Sequence, residues 1–352
     1  MDEIFYDVVD LLKALISTPS VSREEQAAAD IIENFLKARG CTTQRCGNNV
    51  WTIAPGYSPQ RPTLLLNSHI DTVRPVDGWT RNPFSPDDDG ERIYGLGSND
   101  AGASVVSLAA AFLLLSQRQQ RYNLVFLASC EEEVSGKGGI EAVLPLLPKI
   151  DVALVGEPTG MHPAVAEKAL IVLDCDIAGK SGHAARDEGE NAIYKALPMI
   201  ERLRSLSFPL TSAHLGPVKI SVTQISAGTQ HNVVPDMCRI VVDVRTTDAY
   251  TNEQTLEMIR QAVPFCKLTP RSVRLRPSGI SEQHPIVRRL VIAGRKPFGS
   301  PTLSDQALMP FPSLKIGPGD SARSHTADEY ITYDEIREAI QIYFTTLDGL
   351  AL

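Results

Sequence analysis

The sequence predicts an α/β fold built on a mixed, mostly parallel sheet and interrupted by a smaller α+β insertion. Three observations carry that expectation. Up to residue 155, apolar runs of strand length alternate with helix-length segments, the pattern of a sheet covered on both faces. Near Glu167 the order changes to strand, helix, two strands, helix, strand, as in a ferredoxin-like unit. After Pro277 the first pattern resumes. The 352 residues suffice for two domains. The simplest division is a discontinuous domain of residues 1–166 and 278–352 around an inserted domain of residues 167–277.

The elements follow in order. Ile4–Ile16 carries apolar residues at helical spacing. A second helix is expected from Ser22, with Glu25 completing a capping box, to about Gly40. Strands are expected at Val50–Ala54 and Thr63–Ser68, and residues 78–97, rich in Gly, Pro and Asp, form a loop with a hairpin. Ala101–Leu115 is almost wholly small or apolar, hence a helix buried on most faces. Strand Asn123–Ala128, helix Gly139–Leu147 and strand Val152–Val155 complete the first part. The insertion opens with strand Lys168–Ile177 and the turn Gly179–Gly182. It continues through helix Asn191–Leu206, strands Val218–Ile225 and Cys238–Val244, a helix from Thr251 boxed by Gln254, and strand Ser272–Leu275. Helix His284–Ala293, strand Ser313–Ile316 and helix Tyr333–Leu347, capped by Thr332 and Glu335, close the chain.

Bulk properties exclude several classes. With 43% hydrophobic and 22% charged residues the composition is that of a globular protein. The net charge of -8 argues against nucleic-acid partners and anionic membranes. No run of about eighteen apolar residues suggests a membrane span. The acidic start Met1-Asp2-Glu3 lacks the basic region of a leader peptide. A cytoplasmic location is expected. The six cysteines, at 41, 46, 130, 175, 238 and 266, have no secretory context that would favour disulfides.

Chemistry concentrates where strands end. Ser68-His69-Ile70-Asp71, Gly97-Ser98-Asn99-Asp100 and Glu131-Glu132-Glu133 each follow a predicted strand, and open α/β folds place ligands at the carboxyl ends of strands. A metal-bound imidazole donates its second N–H to a carboxylate, a role open to Asp71 beside His69. Asp100 occupies the place where a dinucleotide loop needs its last glycine, which argues against a nucleotide fold. It suits a residue bridging two cations, or a plain helix cap. Three consecutive carboxylates repel one another unless a cation neutralises them or solvent screens them. Glu157, after Val152–Val155, adds another. Metal-driven hydrolysis is the first expectation, and a non-catalytic metal-binding interaction protein is the alternative.

These motifs, with Val155-Gly156-Glu157-Pro158, Gly179–Ala184 around His183, and His325 after Gly317-Pro318-Gly319-Asp320, occur in the order found in the M20 metallopeptidases. The chain resembles that family over roughly residues 5–345, and within it the acetylornithine deacetylases and related N-acyl-amino-acid deacylases. The resemblance implies a zinc-peptidase-like catalytic domain with an inserted dimerisation or lid domain. It implies two divalent ions, zinc first, with cobalt or manganese as alternatives. His69 and Glu157 would hold one, Glu133 and His325 the other, with Asp100 bridging and Asp71 orienting His69. Glu132 would be the general base, because the triplet aligns with the family's Asp-Glu-Glu. His183 would stabilise the oxyanion in the partner protomer's site, which implies a homodimer through the insertion. Asn232 and Arg245 would bind substrate, with Ser304-Asp305 and Gly317 as weaker pocket positions. The implied substrate is an N-acyl amino acid of arginine biosynthesis, N-acetylornithine or N-acetylcitrulline, with di- or tripeptides and succinyl-diaminopimelate as alternatives. The chain departs from the family at Asp100-Ala101-Gly102-Ala103, where many members read Asp-Met-Lys-Gly.

Overall fold

The computed structural model describes residues 2–352, which form two compact units. One comprises the chain up to Val165 with Gly279–Phe298 and Ser304–Leu352; the other comprises Ala166–Ser278 with Gly299–Leu303. The chain begins with α1 (Asp2–Ile16), α2 (Gln26–Ala38), β1 (Thr43–Cys46), β2 (Asn49–Ile53), β3 (Thr63–His69), β4 (Asp87–Asp88) and β5 (Arg92–Tyr94). Next come α3 (Ala103–Ser116), β6 (Asn123–Ser129), α4 (Ile140–Val143), β7 (Val152–Val155) and β8 (Ala164–Glu167). The second unit contributes β9 (Ile171–Ala178), β10 (Gly182–His183), α5 (Ala192–Ser205), β11 (Lys219–Ala227), β12 (Val233–Val234), β13 (Met237–Arg245), α6 (Asn252–Ala262) and β14 (Lys267–Pro270). The chain ends with β15 (Ser278–Gly279), α7 (Pro285–Ile292), β16 (Phe298–Ser300), β17 (Ser313–Lys315), β18 (Tyr330–Thr332) and α8 (Tyr333–Leu347).

In the first unit the strands run in the order β1-β2-β6-β3-β7-β17. The four from β6 to β17 are parallel, and the β1–β2 hairpin lies antiparallel at the edge. Alternation assigns the two faces: Leu64 and Leu66 pack with Phe5, Leu12, Ile32, Phe112 and Tyr343 of the helices, while Leu65 packs with Val125, Leu127, Ile140 and Met309. Helix α3 is buried almost all round. Among the described residues, Ser98–Ser116 is the one stretch with the length and apolarity to cross a membrane, and 89% of that window is buried inside the protein. All six cysteines are free thiols.

The second unit holds an antiparallel sheet in the order β11-β13-β9-β14. Inward residues Leu173, Cys175, Ile240 and Val242 pack against Ala196, Met199 and Leu203 of α5 and Leu256 and Ile259 of α6. The strand order and the two helices on one core are those of the ferredoxin-like unit expected from the sequence.

Three expected elements differ. Helix α2 starts at Gln26 because both residues of the expected box are bonded elsewhere. Ser22 donates its hydroxyl to Asp71 (2.7 Å), and the Glu25 carboxylate accepts from the N–H of Arg23 (2.6 Å) and Glu131 (3.2 Å). The helix expected over Gly139–Leu147 is one α-turn, α4, followed by a 3₁₀ turn at Leu144–Leu146, since Pro145 lacks the N–H that would continue it. The fourth strand of the second unit is β14, not Ser272–Leu275. There the carbonyls of Val273 and Leu275 accept from the Asn252 side-chain amide (2.9 and 2.7 Å) instead of joining a ladder.

Candidate metal centre

Three neighbouring parallel strands deliver the site. His69 is the last residue of β3, Glu131–Glu133 follow β6, and Glu157 follows β7, so their side chains emerge at one edge of the sheet. Asp100 comes from the π-turn Ser98–Gly102 that opens into α3, and His325 from the loop between β17 and β18. All belong to the first unit.

The side chains converge on Asp100. Its Oδ1 lies 3.2 Å from His69 Nε2, and its Oδ2 lies 3.7 Å from His325 Nε2. Each imidazole has a further carboxylate: Glu157 Oε1 at 3.8 Å from His69 Nε2, and Glu133 at 3.0 Å from His325 Nε2. Ligand atoms of His69, Glu132 and Glu157, and again of His69, Asp100 and Glu133, lie within 4.8 Å of one another. The His325 side chain is 51% exposed while that of His69 is buried, so the cluster opens to solvent on the His325 side.

Electrostatics show what this arrangement can hold. Burial pushes Glu157 up to about 8, reinforced by the Asp100 and Glu133 charges. Burial also drives Glu132 well above the usual carboxylate range, with Glu157 and Asp305 adding to the rise. The hydrogen bond to Glu133 lifts His325 to about 9. Burial opposes a charge on His69, yet Asp100 and Asp71 outweigh it and hold the imidazole pKa well above its usual value. Two imidazoles and four close carboxylates, with protons held where ionised ligands belong, fit a pair of divalent cations. The donor set suits zinc and tolerates cobalt or manganese.

Supporting contacts assign each neighbour. His69 Nδ1 sits 2.9 Å from the main-chain oxygen of Asp71 and 3.5 Å from its Oδ1. The Asp71 carboxylate is taken by the N–H groups of Glu132 (3.0 Å) and Glu133 (3.1 Å) and by Ser22. Asp71 therefore positions the acidic loop as much as the imidazole. Glu131 turns away. Its carboxylate accepts from Gly138 N–H (3.3 Å) and fills the space that a Cβ on Gly136 or Gly138 would occupy.

Ser304 caps the turn Asp305–Leu308 and is buried. A side chain on Gly317 would meet the backbone of Glu157 (2.5 Å to its oxygen) and the Ser104 hydroxyl, so this glycine lets its loop lie against that of Glu157. In the second unit, His183 and Asn232 come together. β10 pairs with β12, Ala184 N–H donates to Asn232 O (2.9 Å), and both side chains are exposed. His183 Nδ1 accepts from Ala185 N–H (3.1 Å). Arg245 forms a double contact with Asp243 (2.9 and 3.2 Å) on its own strand.

Four residues were not singled out from sequence, or only weakly. Asp305, buried, accepts from Asn67 (2.9 Å) and Ser129 (2.6 Å), and its charge adds to the rise at Glu132. Lys315, 3% exposed, lowers the pKa of Glu157 by its charge. Glu25 and Glu329 are buried carboxylates that accept from the backbone N–H groups of Glu131 and of Asn99 respectively. A lysine between Leu314 and Ile316 in a predicted buried strand was a readable signal; Glu25 and Glu329 offered none.

The sequence pattern of peptidase family M20/M25/M40 matches residues 65–349. The chain belongs to this family. It is 29% identical over 276 residues, 72% of each chain, to a succinyl-diaminopimelate desuccinylase from Dinoroseobacter shibae. It is 26% identical over 365 residues, 92% of each chain, to an acetylornithine deacetylase from Klebsiella pneumoniae. Among solved structures, the YXEP protein of Bacillus subtilis, a dinuclear metal-binding peptidase from the M20 family, superposes with a TM-score of 0.76 at 17% identity. That superposition covers 99% of this chain and 100% of that one. As an M20 protein the chain is a hydrolase acting on amides, with the peptidase-type α/β fold of its structural neighbours.

Proposed function

We propose that this M20 hydrolase is a two-metal deacylase of N-acyl amino acids. The observation that carries the reading is Asp100, set between two imidazoles that each have a carboxylate of their own. His69 with Glu157 and His325 with Glu133 would hold the ions, Asp100 bridging. Bound there, such a pair lowers the pKa of a shared water and polarises the amide carbonyl.

The chain's own residues supply the rest. Glu132 takes the water proton and passes it to the departing nitrogen. Burial among carboxylates raises its pKa, and with cations held in their midst Glu132 would be in the ionised form a base needs. Asp71 fixes Glu132 by holding its N–H. His183, exposed with Nδ1 engaged, offers Nε2 as donor to the oxyanion. We assign it to the partner protomer's site in a homodimer built through the second unit. Asn232, beside His183, and Arg245 are the substrate-binding positions. Arg245 suits an α-carboxylate once it exchanges its contact with Asp243.

The substrate we favour is N-acetylornithine or N-acetylcitrulline in the cytoplasm, where six unpaired thiols are at home. Relatives named for acetylornithine and for succinyl-diaminopimelate stand at 26% and 29% identity, so desuccinylation is the second reading. The deciding experiment is amine release from N-acetylornithine, N-acetylcitrulline, their N-succinyl forms, succinyl-diaminopimelate and short peptides, with zinc-loaded and chelated protein. Chelator-sensitive turnover of an acyl amino acid supports the proposal and identifies the acyl group. Turnover of peptides alone overturns it in favour of a peptidase, and no turnover by metal-loaded protein favours a binding role.

A further inference from the structure

The two proposed metal positions are anchored differently. His69 ends a central strand and Glu157 follows another, so the sheet itself fixes the first position. His325 rides on a loop, with its side chain 51% exposed. What sets that loop against Asp100 is Glu329, four residues further on. Glu329 Oε1 accepts from the N–H of Asn99 (2.8 Å) and Asp100 (2.9 Å), and its Oε2 accepts from Gly97 N–H (3.2 Å). The Glu329 main-chain oxygen accepts from Gly95 N–H (2.9 Å), and the residue is 2% exposed. A second tie lies on the other side of His325. Asn99 Nδ2 donates to Asp320 O (3.1 Å), and Asp320 N–H donates back to Asn99 Oδ1 (3.0 Å). The loop is thus fastened to the Asp100 turn before and after the histidine.

We propose that Glu329 is a positioning residue which, together with Asn99, sets the distance between Asp100 and His325 and so completes the second metal position. This rests on the two-metal reading given above. Ligands on loops need such outer contacts more than ligands on strands. Losing Glu329 should therefore separate the two positions instead of weakening both.

The test is a calorimetric zinc titration of metal-free full-length protein, paired with its thermal unfolding. The Glu329→Gln side chain keeps the shape but turns an NH2 toward backbone donors. Wild type should take up two equivalents. Glu329→Gln should bind the first as wild type and the second about 10- to 100-fold more weakly. Asn99→Ala should weaken the same equivalent, and it decides the matter if Glu329→Gln does not fold. A second equivalent bound as tightly as in wild type overturns the inference. So do two equivalents weakened alike, the mark of a general structural role. Fewer than two equivalents in wild type removes the two-metal reading itself, and that is read without any variant.

Discussion

Glu131 and Glu132 are chemically identical neighbours placed in opposite surroundings. The Glu131 carboxylate is committed to Gly138 N–H and packs on a glycine run, whereas Glu132 stands within reach of His69 and Glu157. Glu132→Gln should keep its metal content and lose about 100- to 10,000-fold in kcat. Glu131→Gln should lose stability more than rate. The reverse pattern, by metal analysis and steady-state kinetics, would shift the base by one residue. His183→Ala should lower kcat by about 100- to 1000-fold with metal content unchanged, as expected for one lost oxyanion donor. An unaltered kcat would exclude it from the reaction.

At the scale of elements, close approach explains what sequence left ambiguous. Gly317 is expected from sequence to line the pocket, and the structure packs it against the backbone of Glu157. Gly317→Ala should cost about 1–3 kcal/mol through overpacking and should weaken metal binding as Glu157 shifts. A change in KM alone, with urea stability and metal affinity preserved, would contradict the packing role and favour the substrate role. The same logic separates what was legible from what was not. The boxes at Thr251/Gln254 and Thr332/Glu335 form as read; Glu335 keeps its bonds to Thr332 while also accepting from Arg323 (2.9 Å). The pattern at Ser22/Glu25 is equally good locally, yet Asp71 and the backbone of Glu131 claim both residues from a distance. The meeting of His69, the Glu131–Glu133 loop and Glu157 at one sheet edge was readable because strand period and position place them together. Glu329 was not, since its partners are backbone N–H groups about 230 residues away in sequence, which no local pattern encodes.

At the scale of the whole molecule, the buried acids make stability depend on pH and metal together. Burial lifts Glu157 and Glu329 from 4.5 to about 8, so between those values the folded metal-free protein binds more protons than the unfolded chain. Its stability should fall as pH rises from about 5 to about 8. His325, raised to about 9 by Glu133, acts in the same direction, since its contribution is complete below its unfolded value and fades as pH climbs through 9. Asp71 and Asp100, held below their usual pKa mainly by His69 against the effect of burial, act oppositely, and only under more acidic conditions. Zinc held by these groups would take the place of those protons, so the loaded protein should be stabilised most at the alkaline end. Urea unfolding with and without zinc across this range checks the sign; a metal-free protein that gains stability toward about pH 8 would refute the assignment.

Anomalous diffraction at the zinc edge from crystals of the metal-loaded protein would locate the ions themselves. Two peaks are expected, one beside each oxygen of Asp100, the first against His69 and Glu157 and the second against Glu133 and His325. A single peak, or zinc bound away from Asp100, would contradict the two-metal centre and the hydrolytic mechanism built on it.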